Sequence, residues 1–581
     1  MCGITVMLSR KPLKGQVMKD SLRCMENRGY DSLGFMAYSA GQVHSQKSTF
    51  LQDCLGRIPD EATVFMGHTR WATHGAAKAC NAHPHQNIRG NVYAVHNGII
   101  QNYKDLRRSD IKYSSSTDSE VLVKCLEQGT AHELKDILAV CQGSWALVLV
   151  NLDRPNQIVL ARHQSPLVLG YTDDAVYVCS EISACPEDVK HFTAVPEGAI
   201  LEIELHSHGK FMVKDDEAIM PLAQYHVDGQ FTATLSSPDT LRVPYLHWTE
   251  QEICAQTYYP RESGLVRLCA NSFILGQLRQ ASHIYLVGCG SSLFACKFAA
   301  QRWRQQAQGR MTIQTWDASE FHVSTDFVGA HKVLILVSQS GETHDCVQIL
   351  NHLPAETLTI AVVNVEHSML AREATLCVGL EAGKEHGVAA TKSFTSQVYT
   401  LVSMGDLIYL EQYINHPFPT NDTILDLRRQ VKSRILELCL GQNDIYILGS
   451  NFNCSIVGEG ALKIQELAYI HAHAFHGGAL KHGPFALLRP GTPVFVHAWE
   501  RDVRALSTIQ ELQAREAQVI VITNDPNTDF GVVRVYVPSE SPWLSSLWSV
   551  IVYQWLAYLL AVHYGHNPDR PRHLAKTVTV E

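Results

Sequence analysis

The C-terminal half of the chain contains the same succession of strands, turns and helices twice. This duplication restricts the possible folds more than any other feature of the sequence. Apolar runs stand at HIYLVGCGSS, KVLILVSQSGET and LTIAVVN, and the pattern returns at DIYILGSNFN, TPVFVHAW and AQVIVITN. Uninterrupted apolar strands joined by helices are typical of a parallel sheet that is covered on both faces. The sequence therefore predicts two tandem doubly wound α/β domains.

The first 205 residues follow a different pattern, in which short strands alternate with turns. The clearest strands are NVYAVHNG, SWALVLVNL, QIVLARH, AVYVCS and AILEIEL, and their regular spacing predicts a β-rich sandwich. Hydrophobic periodicity is lost over residues 206–245, which indicates a linker. The expected division is a first domain at 1–215, a linker at 216–245, α/β domains at 246–425 and 426–570, and a tail at 571–581.

Composition narrows the class of protein. A chain of 581 residues is too long for one core, and a net charge of -9 without a Lys/Arg cluster argues against a nucleic-acid partner. Sixteen cysteines without C-x-x-C spacing favour a reducing, cytoplasmic location, and we expect no secretory leader before Cys2. The apolar stretch from Trp543 to Tyr564 contains serines and a glutamine and lacks basic flanks, so a buried helix is expected rather than a membrane span.

The chain begins MCGI, which places a thiol at position two. Removal of Met1 would give Cys2 an α-amine with an ordinary pKa of about 8, which can accept the proton of the thiol. A thiol attacks well only as a thiolate, so one residue would supply both nucleophile and base. Taken alone, the tripeptide MCG can also occur by chance, so its interpretation depends on the rest of the chain.

The turn SQSGET lies between a predicted strand and a predicted helix. Ser338, Gln339, Ser340 and Thr343 bring hydroxyl and amide donors to a helix N-terminus, where an anion such as a sugar phosphate is favoured. The lysine of a P-loop is absent, and GCGSS lacks the third glycine of a dinucleotide fingerprint. Plain capping of the helix is the alternative. AWERD replaces SQSGET in the second copy, so only the first copy is expected to bind phosphate.

The segment EGALKIQELAYIHAHA places Glu459, Lys463 and Glu466 within about 60° of one another on a helix. Such spacing most often marks a surface ladder of salt bridges, but the many apolar neighbours favour a proton-handling site. His482 follows in LKHGP. Lys576 stands in the terminal HLAKTVTVE, where a solvated charge on a frayed tail is the alternative.

Histidines crowd the segments GHTRWATHG, NAHPH and HNGII. Their spacing matches no acid–histidine metal motif, so no metal site is predicted. In the same segments Arg70 offers a fork for a carboxylate, and the amide and backbone N–H groups of Asn97 and Gly98 can hold an oxyanion.

Together these motifs resemble the glutamine–fructose-6-phosphate aminotransferase (isomerizing) family. The resemblance rests on MCGI, RGYDS, HTRWATHG, NAHPH, HNGII, TDSE, CGSS, SQSGET, GVAATKSFTSQ, EGALK, LKHGP and LAKTVTVE, which run in the same order over essentially the whole chain. It implies an α+β and α/β protein. An Ntn-type class II glutaminase sandwich would be followed by two SIS (sugar isomerase) domains.

The resemblance also implies roles for single residues. Cys2 would form a glutamyl thioester, with Asn97 and Gly98 as the oxyanion hole. The implied glutamine-binding set is Arg70, Trp71, Thr73, His74, Asp118 and Arg28. Within it, Arg28 would support the nucleophile and Trp71 would gate an ammonia channel. The implied sugar-phosphate set is Ser292, Ser338, Gln339, Ser340, Thr343 and Val388.

In the sugar reaction, the family implies that His482 opens the ring, Lys576 forms a Schiff base and Glu466 moves a proton between C1 and C2, with Lys463 beside it. The family's histidine reaches the neighbouring subunit's site, so a homodimer is implied. No metal, organic cofactor, nucleic acid or membrane is implied.

The chain departs from the family pattern at Ala479, Ala390, His473, His476 and His573, none of which has a named catalytic role. Two alternatives remain open. One is a related SIS-domain amidotransferase or deaminase that acts on another sugar phosphate. The other is a sugar-phosphate sensor, although such sensors usually carry a helix-turn-helix, which this sequence does not show.

Overall fold

The computed structural model describes residues 2–225, 230–232, 241–257, 262–499, 503–527, 531–539 and 541–579. The chain divides into two compact units. One comprises Met1–Thr240 with Ala575–Glu581, and the other comprises Leu241–Leu574. The tail segment from Ala575 therefore groups with the N-terminal unit.

Strands dominate the N-terminal unit. They are β1 (Gly3–Lys14), β2 (Ser32–Ser39), β3 (Gln42–Ser48), β4 (Glu61–Arg70), β5 (His85–Gln86), β6 (Val92–Ile100), β7 (Gly143–Asn151), β8 (Gln157–His163), β9 (Val168–Tyr171), β10 (Ala175–Cys179), β11 (His191–Ala194), β12 (Ile200–Leu205), β13 (Phe211–Asp215), β14 (Ala218–Pro221) and β15 (Gln230–Thr232). The helices are α1 (Gly15–Cys24), α2 (Leu51–Leu55), α3 (Tyr103–Leu106), α4 (Asp118–Lys124) and α5 (Ala131–Leu138).

These strands form two antiparallel sheets, in the orders β15-β11-β9-β10-β1-β4-β2-β3 and β14-β13-β12-β8-β7-β6-β5. Alternate side chains of β1 show how they pack. Ile4 and Val6 join a core shared with β6, β7 and β8 of the other sheet, whereas Met7 packs among side chains of α1 and α2. The predicted β-rich sandwich is confirmed, with helices against both outer faces.

Three of the strands, β13, β14 and β15, lie in the stretch whose periodicity is lost, of which residues 226–229 and 233–240 are outside the described part of the chain. β13 and β14 extend the second sheet beyond β12, with Val213 paired to Ile203 and to Met220. β14 lies at the sheet edge, and its side chains are exposed or half-buried. An exposed edge strand needs no alternation of apolar and polar residues, which explains why the sequence pattern missed it.

The C-terminal unit contains the duplicated elements. Its strands are β16 (His283–Gly288), β17 (Thr312–Asp317), β18 (Lys332–Ser338), β19 (Leu358–Val363), β20 (Leu376–Gly379), β21 (Asp444–Gly449), β22 (His471–His476), β23 (Pro493–His497), β24 (Gln518–Thr523) and β25 (Val533–Tyr536). Its helices are α6 (Trp248–Cys254), α7 (Glu262–Ala270), α8 (Ser272–Gln280), α9 (Ser291–Ala307), α10 (Val323–Asp326), α11 (His344–Asn351), α12 (Met369–Glu373), α13 (Lys392–Gly405), α14 (Asn421–Gln430), α15 (Leu436–Cys439), α16 (Asn453–Ala468), α17 (Val503–Gln513) and α18 (Pro542–His563).

Two parallel five-stranded sheets have the same topology, β17-β16-β18-β19-β20 and β22-β21-β23-β24-β25. Both faces of each are covered. In β16, Ile284 and Leu286 join one core while Tyr285 and Val287 join another. The first of these cores also contains Ile445 of the second sheet, so the two α/β domains share it. The predicted duplication and the doubly wound architecture are confirmed.

The long apolar stretch near the end forms α18. Among the residues that the structure describes, it is the one helix long and apolar enough to cross a membrane, and 89% of its apolar window is buried inside the protein. It packs against α16 and contributes Leu547, Ile551 and Leu556 to the shared core. The prediction of a buried helix is confirmed.

Candidate active sites

Cys2 directly precedes β1, a strand in the interior of the first sheet. Its neighbour Gly3 pairs with Thr69 of β4, which brings the end of β4 and the following Trp71 close to the thiol. The backbone N–H of Trp71 donates to the Cys2 sulfur over 3.3 Å, and the thiol donates to the Trp71 carbonyl over 3.5 Å. Burial raises the pKa of the Cys2 thiol, although the charge of Arg70 opposes this shift. The thiol therefore needs a base before it can attack.

Asn97 and Gly98 stand on β6 beside Cys2. The side-chain amide of Asn97 donates to the Cys2 carbonyl over 3.0 Å, and its oxygen accepts from His68 Nε2 over 3.1 Å. Gly98 has φ +131°, and a Cβ there would lie 2.1 Å from the Ser144 carbonyl oxygen, so no other residue fits without movement. The structure thus brings the predicted nucleophile and the predicted oxyanion residues together.

Arg70 organises the loop that follows β4. Its guanidinium donates to the carbonyl oxygens of His74, Gly75 and Ala76 over 2.6, 3.0 and 3.3 Å. Asp31, which the sequence analysis did not single out, accepts from the Ala72 N–H over 2.8 Å on the other side of the loop. Its position in RGYDS was the available signal. Binding of a substrate carboxylate by Arg70 stays a prediction.

The other predicted glutamine-binding residues surround this loop. Asp118 is buried at the start of α4, and its carboxylate accepts from the Ile100 N–H over 2.8 Å. Trp71 packs edge-on against Tyr30, with ring centroids 5.8 Å apart, while Thr73 is exposed. The imidazole of His74 packs against Tyr103, with centroids 5.3 Å apart.

The side chain of Arg28 contacts the two residues that follow β10. Its buried guanidinium forms an ion pair with Glu181 at 3.2 Å and donates to the Ser180 carbonyl over 3.4 Å. Ser180 in turn accepts from the Ile4 N–H over 3.0 Å through its hydroxyl. These contacts connect Arg28 to the backbone two residues after Cys2. Its predicted support of the nucleophile stays a prediction.

Three histidines of this region, His68, His83 and His85, form a buried cluster. The rings of His68 and His83 lie 4.1 Å apart, and those of His83 and His85 lie 4.6 Å apart. Burial lowers the pKa of His68 to about 3 and that of His83 well below its ordinary value. The rings are therefore neutral at pH 7, and His68 orients the Asn97 amide.

The SQSGET turn joins β18 to α11. The hydroxyls of Ser338 and Thr343 lie 2.8 Å apart, and the Gly341 N–H donates to Ser338 Oγ over 3.0 Å. Gly341 has φ +66°, and a Cβ there would overlap the Ser368 side chain. Thr343 is the N-cap residue of α11, but its side chain makes no capping bond to the helix. Ser338 and Thr343 thus remain paired with each other, at a helix N-terminus suited to an anion.

The remaining predicted sugar residues lie on neighbouring elements of the same unit. Gln339 and Ser340 are half-buried in the turn. Ser292 is the second residue of α9 and accepts from the Gln397 side chain over 2.9 Å. Val388 is buried, and its N–H donates to the Asp569 carbonyl over 3.1 Å. In the second copy, residues 500–502 of AWERD lie outside the described residues.

Glu459, Lys463 and Glu466 form a buried cluster on α16. Lys463 Nζ lies 3.2 Å from Glu459 and 2.6 Å from Glu466, and the side chains of Lys463 and Glu459 are fully buried. Burial lowers the pKa of Lys463, but the two carboxylates outweigh it and raise the pKa above its ordinary value. Ser291, in the CGSS motif, contacts both Glu459 and Lys463, and no spacing in the sequence predicts this contact. The surface-ladder alternative is wrong, because this face is not solvated.

His482 and Lys576 belong to different units of the chain. His482 is exposed at the end of the 3₁₀ turn Ala479–His482. Lys576 belongs to the N-terminal unit, where its N–H donates to the Asn27 carbonyl over 3.5 Å. The catalytic roles implied for both residues stay predictions.

Comparison with known proteins matches three segments of the chain to two domain families. The chain matches the glutamine amidotransferase domain family over residues 52–220 and the SIS domain family twice, over 277–404 and 440–564. It is 32% identical to the glutamine–fructose-6-phosphate aminotransferase [isomerizing] of Geobacillus kaustophilus and 31% identical to that of Bacillus subtilis, over 100% of each chain. The solved C-terminal domain of glucosamine-fructose-6-phosphate aminotransferase from Francisella tularensis superposes with a TM-score of 0.52 and 25% identity, covering 57% of this chain and 100% of that domain.

Proposed function

Because the chain belongs to the glutamine–fructose-6-phosphate aminotransferase (isomerizing) family, we propose that it makes glucosamine 6-phosphate and glutamate from fructose 6-phosphate and glutamine. The observation that carries the proposal is the position of the Cys2 thiol within hydrogen-bond reach of Trp71, with Asn97 on the Cys2 carbonyl. A thiol beside preorganised amide donors suits acyl transfer from a carboxamide.

In the proposed first half-reaction, removal of Met1 leaves the α-amine of Cys2 to take the thiol proton. The thiolate attacks the side-chain carbonyl carbon of glutamine, and the amides of Asn97 and Gly98 stabilise the oxyanion. Ammonia leaves with the transferred proton, and water hydrolyses the thioester to glutamate. Asp118 and Arg70 would hold the charged ends of glutamine.

In the proposed second half-reaction, the phosphate of fructose 6-phosphate binds at the Ser338 turn. Ammonia condenses with the C2 carbonyl, whose oxygen leaves as water, and Glu466 carries a proton between C1 and C2. The proposal also includes a Schiff base on Lys576, ring opening by His482, transfer of ammonia past Trp71 and a cytoplasmic homodimer. The reason for including them is their place in the family pattern.

The test is direct. The wild-type protein is incubated with glutamine and fructose 6-phosphate, and the products are identified by mass. We expect glucosamine 6-phosphate and glutamate in equal amounts. The Cys2→Ala variant should release no glutamate from glutamine but should still form amino sugar from a high ammonia concentration. Loss of both activities, or of neither, would contradict two separable sites, and preference for another sugar phosphate would favour the related SIS-domain enzyme.

A further inference from the structure

Three oxygen atoms surround the ammonium group of Lys463. Its Nζ lies 2.6 Å from Glu466 Oε2, 3.2 Å from Glu459 Oε1 and 3.1 Å from the hydroxyl of Ser291. An ammonium has three donors and no acceptor, so these contacts determine its position. One positive charge is therefore shared between two carboxylates, and only Glu466 is partly exposed.

Glu459 has no part in the reaction proposed above, yet it is fully buried in this cluster. Its Oε1 lies 3.2 Å from Lys463 Nζ and accepts from the Ser291 hydroxyl over 3.1 Å. Its Oε2 is buried and has no hydrogen-bond partner among the residues that the structure describes. A buried carboxylate oxygen without a partner is costly, so this carboxylate needs a reason beyond packing.

We infer that Glu459 is a positioning residue for the sugar reaction. Its carboxylate shares the positive charge of Lys463 with Glu466 and so keeps Glu466 basic enough to accept a proton. The inference rests on the proposed function. Without Glu459, the whole charge of Lys463 would be balanced by Glu466 at 2.6 Å, and a carboxylate paired so closely is a poor base. Ser291, from α9, holds Glu459 and Lys463 in the arrangement that shares the charge.

Glu459 must be ionised for this effect. Burial raises the pKa of its carboxyl to about 7, partly opposed by Lys463. Kinetics measured at about pH 8 therefore find most of it charged. Glu437, on α15, is exposed and provides a matched control for loss of a glutamate charge from the same unit.

The experiment compares Glu459→Gln, Glu459→Asp and Glu437→Gln with the wild-type protein, using ammonia and fructose 6-phosphate. Glu459→Gln keeps the shape of the side chain but removes its charge. We expect kcat to fall about 10- to 100-fold, up to the lower limit of the roughly 10²- to 10⁴-fold contribution of a general base, because Glu466 itself remains. The KM for fructose 6-phosphate should stay within about threefold, because the phosphate turn is unchanged. The isotope effect with substrate deuterated at C1 should increase. Glu459→Asp, which keeps the charge, should lose less activity than Glu459→Gln.

Four results would overturn the inference. They are an unchanged kcat in Glu459→Gln, a rise in KM that accounts for the whole loss, an isotope effect that does not increase, and a larger loss in Glu459→Asp than in Glu459→Gln. If Glu459→Gln does not fold, Ser291→Ala replaces it, and an unchanged kcat in that variant also overturns the inference. A wild-type protein that makes no amino sugar from ammonia would instead refute the proposed function.

Discussion

The side-chain amide of Asn97 donates a 3.0 Å hydrogen bond to the backbone carbonyl of Cys2, 95 residues earlier in the chain. Asn97 is on β6 of one sheet of the sandwich, and Cys2 precedes β1 of the other. The amide is oriented by His68, which belongs to β4. The proposed nucleophile and oxyanion donor therefore keep their relative position through the packing of the two sheets.

Replacing Asn97 by Ala should remove one oxyanion donor. We expect kcat for glutamine hydrolysis to fall about 10²- to 10³-fold, the usual cost of losing such a donor. Amino-sugar formation from ammonia should stay near the wild-type rate, because it needs no thioester. Asn156→Ala, at an exposed asparagine of the same unit, is the control. Normal glutamine hydrolysis in Asn97→Ala would exclude this amide from the oxyanion site.

Replacing Ser338 and Thr343 by Ala should weaken sugar-phosphate binding. The two hydroxyls are 2.8 Å apart, and each would donate to a charged group, which is worth about 1.5–3 kcal/mol. The KM for fructose 6-phosphate should therefore rise more than about tenfold. Glutamine hydrolysis measured without sugar should change little. Ser324→Ala, at an exposed serine of α10, is the control, and an unchanged KM in the double variant would place the phosphate elsewhere.

Lys576 should form a covalent imine with the sugar if its implied role is correct. Borohydride added with fructose 6-phosphate should trap an adduct on the C-terminal peptide, detected by mass. Lys576→Arg should give no adduct and should lose sugar conversion, because a guanidinium stays protonated and cannot form the imine. Deleting residues 576–581 should likewise abolish sugar conversion and leave some glutamine hydrolysis. Lys432→Arg, at an exposed lysine, is the control. A normal rate of sugar conversion in the truncated protein would contradict the role of Lys576 and favour the solvated-tail alternative.

The buried histidines should make the protein less stable in acid. Burial lowers the pKa of His68 to about 3 and the pKa of His83 well below its ordinary value. A lowered folded-state pKa means that the stability is complete above the unfolded value of about 6.5 and is lost as the pH falls below it. Each such histidine then costs about 1.4 kcal/mol per pH unit.

His83 is the best position at which to measure this effect. Neither of its ring nitrogens has a hydrogen-bond partner among the described residues, so Phe can replace the ring without breaking such a bond. In calorimetry from pH 7 to pH 5, His83→Phe should lose less stability than the wild-type protein. His208→Gln, at an exposed histidine, should behave like the wild type. An equal loss in all three proteins would show that His83 does not titrate in this range.

Much of the fold and part of the site were predictable from local sequence patterns. The long buried strands, such as β18 and β21, are uninterrupted apolar runs. The sequence of α18 is also an apolar run, but its serines, its glutamine and its lack of basic flanks favour a buried helix over a membrane span. The spacing of Glu459, Lys463 and Glu466 places them on one helix face regardless of the rest of the chain. The edge strands β17, β20, β22 and β25 were missed because they are short or partly exposed, so their side chains carry no strong pattern.

The sequence by itself thus determined the order of the domains and the residues that each motif contributes. Only the tertiary structure decided which motifs meet: Cys2 with Trp71 and Asn97, Asp31 with the loop after β4, and Ser291 of α9 with Glu459 and Lys463 of α16. Local spacing specifies the face of a helix or strand on which a side chain lies. Contacts between distant segments depend instead on strand register and on how sheets and helices pack, and these are set by burial of the whole core.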